Sequence, residues 1–398
     1  MKGMVNDDGK TLLLRGARVV LPGGAVEGAG VVVRGGRIAS VGADAGAGAA
    51  DRVFELRGLT LMPGFVDAHI HGAVGVDALD AGAEDLLRVS RFLAERGVTA
   101  WLPTLVPAPA EDYRRAVAAV DELMRVQDGH AAARAVGLHY EGPFVNERQC
   151  GALRTQYFRT YTGPAELDTL PTLKAGGAAH MMTLAPEVEG GTELVRELTR
   201  RGWVASIGHT RADLAALEGA RLAGARHMTH FLNAMSPLHQ RAPGPVGWGL
   251  MSDDVTVDLI ADGVHSDPLL IRLVLRCKTA ARVSLISDAV APAGLGDGEF
   301  RVWGETITVS GGRTSNVRGS IAGSVITMLD AVRLVSTLGL APHELARTAS
   351  LNPARLLGID RDCGSIEEGK RADLVALDDE GRARLTLVGG RVAFDGGV

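Results

Sequence analysis

Six side chains of the types that bind metal ions come at or just after short apolar runs of the sequence. His69 and His71 follow LMPGFVDA with His-x-His spacing. Residues two apart on a strand point to the same face, so both imidazoles can converge on one ion. The other four residues end the runs AVGLHYE, WVASIGH, ARHMTH and VSLISD, and they are Glu141, His209, His230 and Asp288.

Four imidazoles and two carboxylates are donors that suit Zn²⁺ or a similar divalent ion. A lone His at a strand end is most often an ordinary hydrogen-bonded residue, and one His-x-His pair is a weak signal. Six such residues at the ends of predicted strands are difficult to obtain by chance. We therefore predict a site for one or two divalent ions per subunit, zinc first, with iron, manganese and cobalt as alternatives.

The elements that must position these residues alternate along the chain. Helical runs such as AEDLLRVSRFLAERG and TELVRELTRRG, with apolar residues at three- and four-residue spacing, separate the short apolar runs. This alternation predicts βα units and a parallel sheet, and six or more units favour a closed barrel. No GxGxxG follows the first strand, which argues against a dinucleotide-binding fold.

Both ends of the chain have a different pattern, of short β segments separated by Gly-Gly and Asp turns. We therefore predict an α/β protein, with a (β/α)₈ TIM-like barrel inserted into a small β-sandwich that both termini form. The expected sandwich comprises 1–60 and 365–398, and the expected barrel 61–364. Active sites of such barrels lie at the carboxyl ends of the strands, where the six candidates fall. The stretch GADAGAGAAD at 42–51 is predicted as a loop.

The composition of the chain argues against nucleic acids and anionic membranes as ligands. The 398 residues include 42 basic and 47 acidic side chains, for a net charge of −5, so nothing indicates binding to nucleic acid or to an anionic membrane. Cys150, Cys277 and Cys363 are odd in number and far apart, which fits a reducing compartment. The polar segment MKGMVNDDGK lacks the apolar region of a signal peptide, and no apolar run is long enough to span a membrane. We expect a cytoplasmic protein that acts on a small molecule.

Several longer motifs resemble the amidohydrolase superfamily, and within it the N-acetylglucosamine-6-phosphate deacetylase family. They run from about residue 15 to 390, and the combination of EGP, THxxNAM and ADGxH is specific to the deacetylase branch. The matching segments include PGFVDAHIHG (63–72), LHYEGPFVN (138–146), TLAPE (183–187), SIGHT (206–210), THFLNAM (229–235), APGPVG (242–247), IADGVH (260–265), ISDA (286–289) and IAGS (321–324).

This resemblance implies a role for each matching residue. Glu141, His209 and His230 correspond to the primary metal site, and His69 and His71 to ligands of a second metal that some members have. Asp288 corresponds to the general base and acid. The positions that correspond to contacts with an amino-sugar phosphate are Ala152, Asn233, Ala234, Arg241, His265, Ile321, Ala322 and Gly323. In the family the phosphate-binding Arg comes from the neighbouring subunit, which implies a homodimer in which Arg241 reaches the partner's site.

Elementary chemistry supports two of these assignments. Amide hydrolysis requires an activated water, a polarised carbonyl and a protonated leaving amine. Asp288, the carboxylate that ends a late predicted barrel strand, suits the transfer of a proton from that water to the amine. Arg241 offers a planar fork for a phosphate, and a protonated His265 would add charge.

One departure from the family pattern bears on the substrate. Relatives continue from the EGP loop into Gly-Ala-His, whereas this chain reads Gly151-Ala152-Leu153, followed by Arg154. Leu153 can neither donate a hydrogen bond nor carry charge. The expected substrate is N-acetylglucosamine-6-phosphate, and a different N-acyl amino sugar such as N-acetylgalactosamine-6-phosphate is the alternative.

Two further hypotheses predict different features. A ring-opening amidohydrolase of the dihydroorotase or hydantoinase type would bridge two metals with a carbamylated Lys at mid-barrel. Only Lys174 lies between His71 and His209, and it precedes a predicted strand rather than ending one. A non-catalytic scaffold should have lost ligands, whereas all six are present.

Overall fold

The structure, a computed structural model, describes residues 10–42 and 50–398. Most of the glycine-rich stretch predicted as a loop at 42–51, and the polar N-terminal segment up to residue 9, lie outside these residues. Among the described helices, none is long and apolar enough to cross a membrane.

The strands divide into two large sheets and two small ones. In chain order they are β1 (Leu12–Leu21), β2 (Gly24–Arg34), β3 (Arg37–Gly42), β4 (Arg52–Glu55), β5 (Thr60–Pro63), β6 (Phe65–Ile70), β7 (Gly72–Ala73), β8 (Val76–Asp77), β9 (Val98–Leu105), β10 (Arg134–Ala135), β11 (Gly137–Glu141), β12 (Ala179–Leu184), β13 (Val204–Ile207), β14 (His227–Met228), β15 (Thr256–Ile260), β16 (Val283–Ile286), β17 (Gly298–Val302), β18 (Glu305–Ser310), β19 (Arg313–Asn316), β20 (Leu374–Leu377), β21 (Ala383–Val388) and β22 (Arg391–Asp395).

Helices follow the strands of the central part of the chain. They are α1 (Ala83–Ala94), α2 (Ala110–Val126), α3 (Pro164–Asp168), α4 (Gly191–Arg200), α5 (Leu214–Ala223), α6 (Gly244–Met251), α7 (Pro268–Lys278), α8 (Met328–Ser336), α9 (Pro342–Ala346) and α10 (Asn352–Leu356). α4 illustrates how the apolar spacing works, since it buries Leu194, Val195 and Leu198 and leaves its Arg and Glu side chains on the other face.

Eight parallel strands form the barrel. β9, β11, β12, β13, β14, β15 and β16 pair in that order, and β6 pairs with β9. Every residue of β6 and β16 is buried, as expected where helices cover one face of a strand and the barrel interior covers the other. The gap between β16 and β6 is bridged at their carboxyl ends, where Asp288 N–H donates to the His69 carbonyl over 2.9 Å and His71 N–H donates to the Ala289 carbonyl over 2.8 Å.

Strands from both ends of the chain form one eight-stranded sheet. Its order is β22-β21-β20-β5-β1-β2-β3, with β4 paired to β1. β20 runs antiparallel to β5, so the C-terminal segment packs directly beside the strand that leads into the barrel. A separate apolar core that includes Leu14, Val31, Leu61 and Leu385 lies within this part of the molecule. The predicted barrel flanked by strands from both termini is confirmed.

A feature that the sequence analysis did not anticipate lies between β16 and α8. β17, β18 and β19 form a three-stranded antiparallel sheet of their own. The turn between β17 and β18 carries Trp303, whose ring meets the ring of His71 edge-on at a centroid distance of 5.2 Å. This inserted sheet therefore reaches the carboxyl end of the barrel.

Candidate active site

The six candidate ligands converge because each one stands at the carboxyl end of a barrel strand. His69 lies near the end of β6, His71 follows that strand directly, and Glu141 is the last residue of β11. The other three each come two residues after the end of a strand: His209 after β13, His230 after β14 and Asp288 after β16. All six are buried, with relative exposures between 0% and 6%.

Three of these residues have an unusual backbone. His209, His230 and Asp288 have positive φ angles of 47°, 31° and 49°. This left-handed region is uncommon for residues other than glycine, and strain of this kind clusters at functional sites. The turn it produces directs each side chain from the end of its strand into the mouth of the barrel.

Glu141 is the centre of one group of three ligands. Its Oε1 lies 3.0 Å from Nε2 of His209 and 3.0 Å from Nε2 of His230. The two imidazole Nε2 atoms are 3.1 Å apart. One carboxylate oxygen and two ring nitrogens thus surround a common point, with the spacing of a metal triad.

The same carboxylate also belongs to a second group. Its Oε2 lies 3.4 Å from Nε2 of His71, and the Nε2 atoms of His69 and His71 are 3.2 Å apart. Asp288 Oδ1 completes this side of the site, at 3.2 Å from His71 Nε2 and 3.4 Å from His69 Nε2. Glu141 therefore stands between two adjacent sets of donors.

The hydrogen bonds behind the ligands indicate that a cation belongs between them. His209 Nδ1–H donates to the Gln149 carbonyl over 2.7 Å, and His71 Nδ1–H donates to the Thr104 carbonyl over 3.2 Å. In the neutral ring, each Nε2 then carries a lone pair that faces a carboxylate. Two acceptors at about 3 Å repel each other unless a positive charge, either a ring proton or a metal ion, lies between them, and this set of imidazole and carboxylate groups fits a divalent ion.

Electrostatics in the site also favours bound positive charge. Burial raises the pKa of Glu141, but the hydrogen bonds with His209 and His230 outweigh it and hold that pKa well below its usual range. Burial lowers the pKa of His71, yet the nearby Asp288 and Glu141 carboxylates raise it to about 9. His230 behaves in the same way beside Glu141, with a pKa of about 9.

Most of the residues expected to contact a sugar phosphate line the same end of the barrel. Asn233 and Ala234 follow His230, and the Asn233 side-chain amide donates to the His230 carbonyl over 3.3 Å. Ala152 follows Gly151, at which an added Cβ would lie 3.6 Å from the His209 ring.

The segment Ile321–Gly323 is tied to the loop that carries Asp288. Ser324 N–H, directly after this segment, donates to the Asp288 carbonyl over 2.8 Å. The Thr314 hydroxyl donates to the Gly323 carbonyl over 2.6 Å, and Ala322 N–H donates to the Thr314 hydroxyl over 3.1 Å.

Arg241 and His265 lie further out. Arg241 is exposed on the loop before α6, where its backbone N–H donates to His239 Nδ1 over 3.3 Å. The His265 ring contacts Asp262, with Nδ1 and Oδ2 2.6 Å apart. Burial raises the pKa of Asp262, but its contacts with His265 outweigh burial and lower it.

The loop with the unusual Leu153 is well packed. Leu153 is only 3% exposed and belongs to the barrel core. Arg154, the next residue, donates from Nη2 to the Pro107 carbonyl over 3.0 Å and lies over the Tyr157 ring.

Sequence reasoning missed the residues that hold the ligands. Asp67 accepts the Ser287 hydroxyl over 2.6 Å across the barrel closure, and burial raises the pKa of Asp67 to about 7. His227 Nε2 lies 2.9 Å from Asp258 Oδ2. The signal that could have found Asp258 is an acidic residue in the middle of the apolar run TVDLIADG.

Comparison with known proteins decides the family. The model of the amidohydrolase family matches residues 60–393. The chain belongs to the amidohydrolase family. The family and the hydrolase class predicted from the motifs are therefore confirmed.

The relatives compared below are all named as deacetylases of an N-acetyl amino-sugar phosphate. The chain is 37% identical over 336 residues to N-acetylglucosamine-6-phosphate deacetylase from Bacillus subtilis, covering 84% of each chain. It is 36% identical to N-acetylgalactosamine-6-phosphate deacetylase from Escherichia coli O157:H7, covering 84% of this chain and 87% of that one. A solved structure of a mutant N-acetyl-D-glucosamine-6-phosphate deacetylase from Mycobacterium smegmatis, in complex with N-acetyl-D-glucosamine-6-phosphate, has a TM-score of 0.88 at 33% identity, covering 97% of this chain and 100% of that chain.

The amidohydrolase family is generally metal-dependent, and two groups of described residues here could hold a metal ion: His69, His71 and Glu141, and Glu141, His209 and His230. Lys174, the candidate for a bridging carbamylated lysine, is exposed, and its backbone N–H donates to Asp121 over 2.8 Å. Glu141, which belongs to both groups, lies between them instead.

Proposed function

We propose that this chain is a metal-dependent deacetylase that hydrolyses the N-acetyl amide of N-acetylglucosamine-6-phosphate to glucosamine-6-phosphate and acetate. The observation that carries the proposal is the buried cluster around Glu141, in which Asp288 stands beside the His69–His71 pair. The names of relatives that share most of the chain's length support the substrate. A role in amino-sugar recycling follows from this reaction.

The metal that we propose is zinc, since borderline divalent ions suit a set of imidazole and carboxylate donors. Glu141, His209 and His230 form the primary site, and His69 and His71, together with Glu141, are ligands for a second ion. Iron, manganese and cobalt accept similar donors and are alternatives. An ion bound here supplies Lewis acidity to the substrate carbonyl and lowers the pKa of water.

Asp288 performs the proton transfers in the proposed reaction. Its carboxylate accepts a proton from the attacking water as the carbon–oxygen bond forms at the acetyl carbonyl. It then donates that proton to the amide nitrogen as the carbon–nitrogen bond breaks. Burial of Asp288 beside two imidazoles keeps bulk water away from this proton.

The remaining proposed contacts hold the sugar phosphate. Arg241 and His265 bind the phosphate, Asn233 and Ala234 lie beside the sugar, and the loops of Ala152 and of Ile321, Ala322 and Gly323 close around it through backbone groups. Arg241 reaches the site of the partner subunit in a homodimer. Its exposure on the loop before α6 supports this arrangement.

A second candidate substrate is N-acetylgalactosamine-6-phosphate. The similarity to the E. coli enzyme that is named for this epimer favours it, as does the apolar Leu153 in a position where family members present a histidine. The proposed chemistry is the same for both epimers, because the acetyl amide is the same. The proposed location is the cytoplasm, which the three free cysteines support.

Steady-state deacetylation of both epimers and of unphosphorylated N-acetylglucosamine, with the metal content measured on the same sample, tests the proposal. We expect turnover of the glucosamine phosphate, loss of activity after chelation, and recovery with zinc. Preference for the galactosamine epimer would reassign the substrate to the second candidate. A metal-replete enzyme inactive on both phosphates would overturn the proposed function.

A further inference from the structure

His230 is held differently from the other metal-ligand candidates that follow their strands. The rings of His209 and His71 are oriented by hydrogen bonds from Nδ1–H to the carbonyls of Gln149 and Thr104. His230 Nδ1 is buried and has no hydrogen-bond partner among the described residues. The direction of the His230 ring must therefore be set through its backbone.

Asp258 accepts hydrogen bonds from the backbone N–H groups at this turn. His230 lies beyond the end of β14 with a φ of 31°, and its N–H donates to Oδ1 of Asp258 in β15. The next N–H, that of Phe231, donates to the Asp258 carbonyl over 2.9 Å. His69, whose Nδ1 also lacks a partner, lies within β6 and has no comparable left-handed turn to maintain.

The Asp258 side chain is in turn positioned by contact with His227. His227 Nε2 lies 2.9 Å from Asp258 Oδ2, and both side chains are fully buried. The Thr256 hydroxyl donates to the Arg226 carbonyl over 3.1 Å, so it accepts a hydrogen bond from His227 Nδ1–H over 2.8 Å. His227 is thus fixed at one nitrogen by Thr256, and its other nitrogen lies at hydrogen-bond distance from Oδ2 of Asp258.

We propose that Asp258 is a positioning residue for the metal ligand His230, and that His227 fixes Asp258 for this task. The Asp258 carboxylate maintains the left-handed turn that directs His230 Nε2 toward Glu141. Asp258 touches neither substrate nor the proposed ion, so its role is exerted through His230 alone. The inference rests on the proposed metal site.

Two nearly isosteric substitutions separate the hydrogen bond from the volume of the side chain. Asp258→Asn keeps an oxygen that accepts from His230 N–H, and its amide N–H can donate to Nε2 of neutral His227. Asp258→Leu removes the acceptor. We expect the dissociation constant for zinc to rise about 10–100-fold in the Leu variant and to change less than about threefold in the Asn variant. Asp258→Ala gives the same comparison if the Leu side chain does not fit.

The matched control is Asp373, a carboxylate in the terminal part of the chain that is also buried. It accepts Gly389 N–H over 2.6 Å and an Arg134 N–H over 3.3 Å. Asp373→Leu should lower the melting temperature and leave zinc affinity unchanged. A purely structural role for Asp258 predicts that the two Leu variants behave alike in both measurements.

Zinc affinity is measured by competition with a chromophoric chelator, and the visible spectrum of the cobalt-substituted protein reports the ligand geometry. We expect an altered cobalt spectrum in Asp258→Leu and a spectrum like that of the unmodified protein in Asp258→Asn. Unchanged zinc affinity in folded Asp258→Leu or Asp258→Ala would overturn the inference while leaving the proposed function intact. If the unmodified protein bound no stoichiometric zinc, iron, manganese or cobalt, the metal site and this inference would both be overturned.

Discussion

At the scale of one residue, a substitution of Asp288 tests the proposed proton transfer. The substitution Asp288→Asn keeps the side-chain volume and removes the group that accepts and returns a proton. We expect kcat to fall by about 10²–10⁴-fold, the usual contribution of a general acid or base. Zinc content should stay unchanged, because Glu141, His209 and His230 form the primary site. Parallel measurements of kcat and bound zinc check this, and loss of zinc in the variant would make Asp288 chiefly a ligand.

The three cysteines differ in environment, which predicts different reactivity. Burial raises the pKa of Cys363 to about 12, and its thiol donates to the Ile359 carbonyl over 3.6 Å. Since the thiolate is the reactive form, Cys363 should stay unmodified at pH 8 in the folded protein. Cys277 is exposed and should react first. Mass spectrometry after treatment with a thiol reagent checks the order, and Cys277→Ser should remove the fast phase. Rapid modification of Cys363 without unfolding would contradict this prediction.

The limits of sequence reasoning at this scale have a physical cause. His69, His71 and the other ligand candidates have recognisable types and stand at strand ends, so residue type and local periodicity were sufficient. Asp258 acts through a hydrogen bond to the backbone of His230, which lies 28 residues away in the chain. Such a pairing depends on the register between β14 and β15, which no local pattern specifies.

At the scale of elements, the alternation of strands and helices could be predicted from the sequence. Each helix covers the barrel with one apolar face, and this gives its sequence a regular apolar spacing. The β17–β19 sheet was not predicted, although its segment has short β runs separated by Trp303-Gly304 and Gly311-Gly312. Its contact with the barrel, between the rings of Trp303 and His71, joins segments far apart in sequence, which no local pattern reveals.

The turn at Gly323 links one loop to the position of Asp288. Gly323 has a φ of 59°, and an added Cβ would lie 2.5 Å from Val290 Cγ1 and 2.9 Å from the Asp288 carbonyl oxygen. Gly323→Ala should therefore destabilise the protein by about 1–3 kcal/mol through strain and displace the Asp288 loop. Thermal unfolding and kcat are the measurements.

Gly319 is the matched control for this prediction, because it has a φ of 78° and no atom within 4 Å of an added Cβ. Gly319→Ala carries the backbone strain without the collision, so it should lower the melting temperature less and leave kcat unchanged. Equal effects of the two variants on kcat would contradict the proposed link between Gly323 and Asp288.

At the scale of the whole molecule, exposed apolar side chains lie on α6, α7 and the loops beside them. They are Leu238, Met251, Val264, Leu269, Leu270 and Leu273, with exposures between 37% and 79%. Large exposed apolar side chains on neighbouring elements often mark a protein interface. Arg241 lies on the loop that also carries Leu238, so a dimer formed through this surface would bring Arg241 close to the partner.

The proposed homodimer predicts that two inactive variants restore activity together. Arg241→Ala should lose phosphate binding in the partner's site, and Asp288→Asn should lose proton transfer in its own site. When the two chains are co-expressed, each heterodimer contains one site with Asp288 from one chain and Arg241 from the other. Random pairing in a two-fold dimer then restores about a quarter of the unmodified activity. Each variant expressed alone is the control. If Arg241 served its own subunit, one chain of every heterodimer would lack Arg241 and the other Asp288, so the mixture would stay inactive.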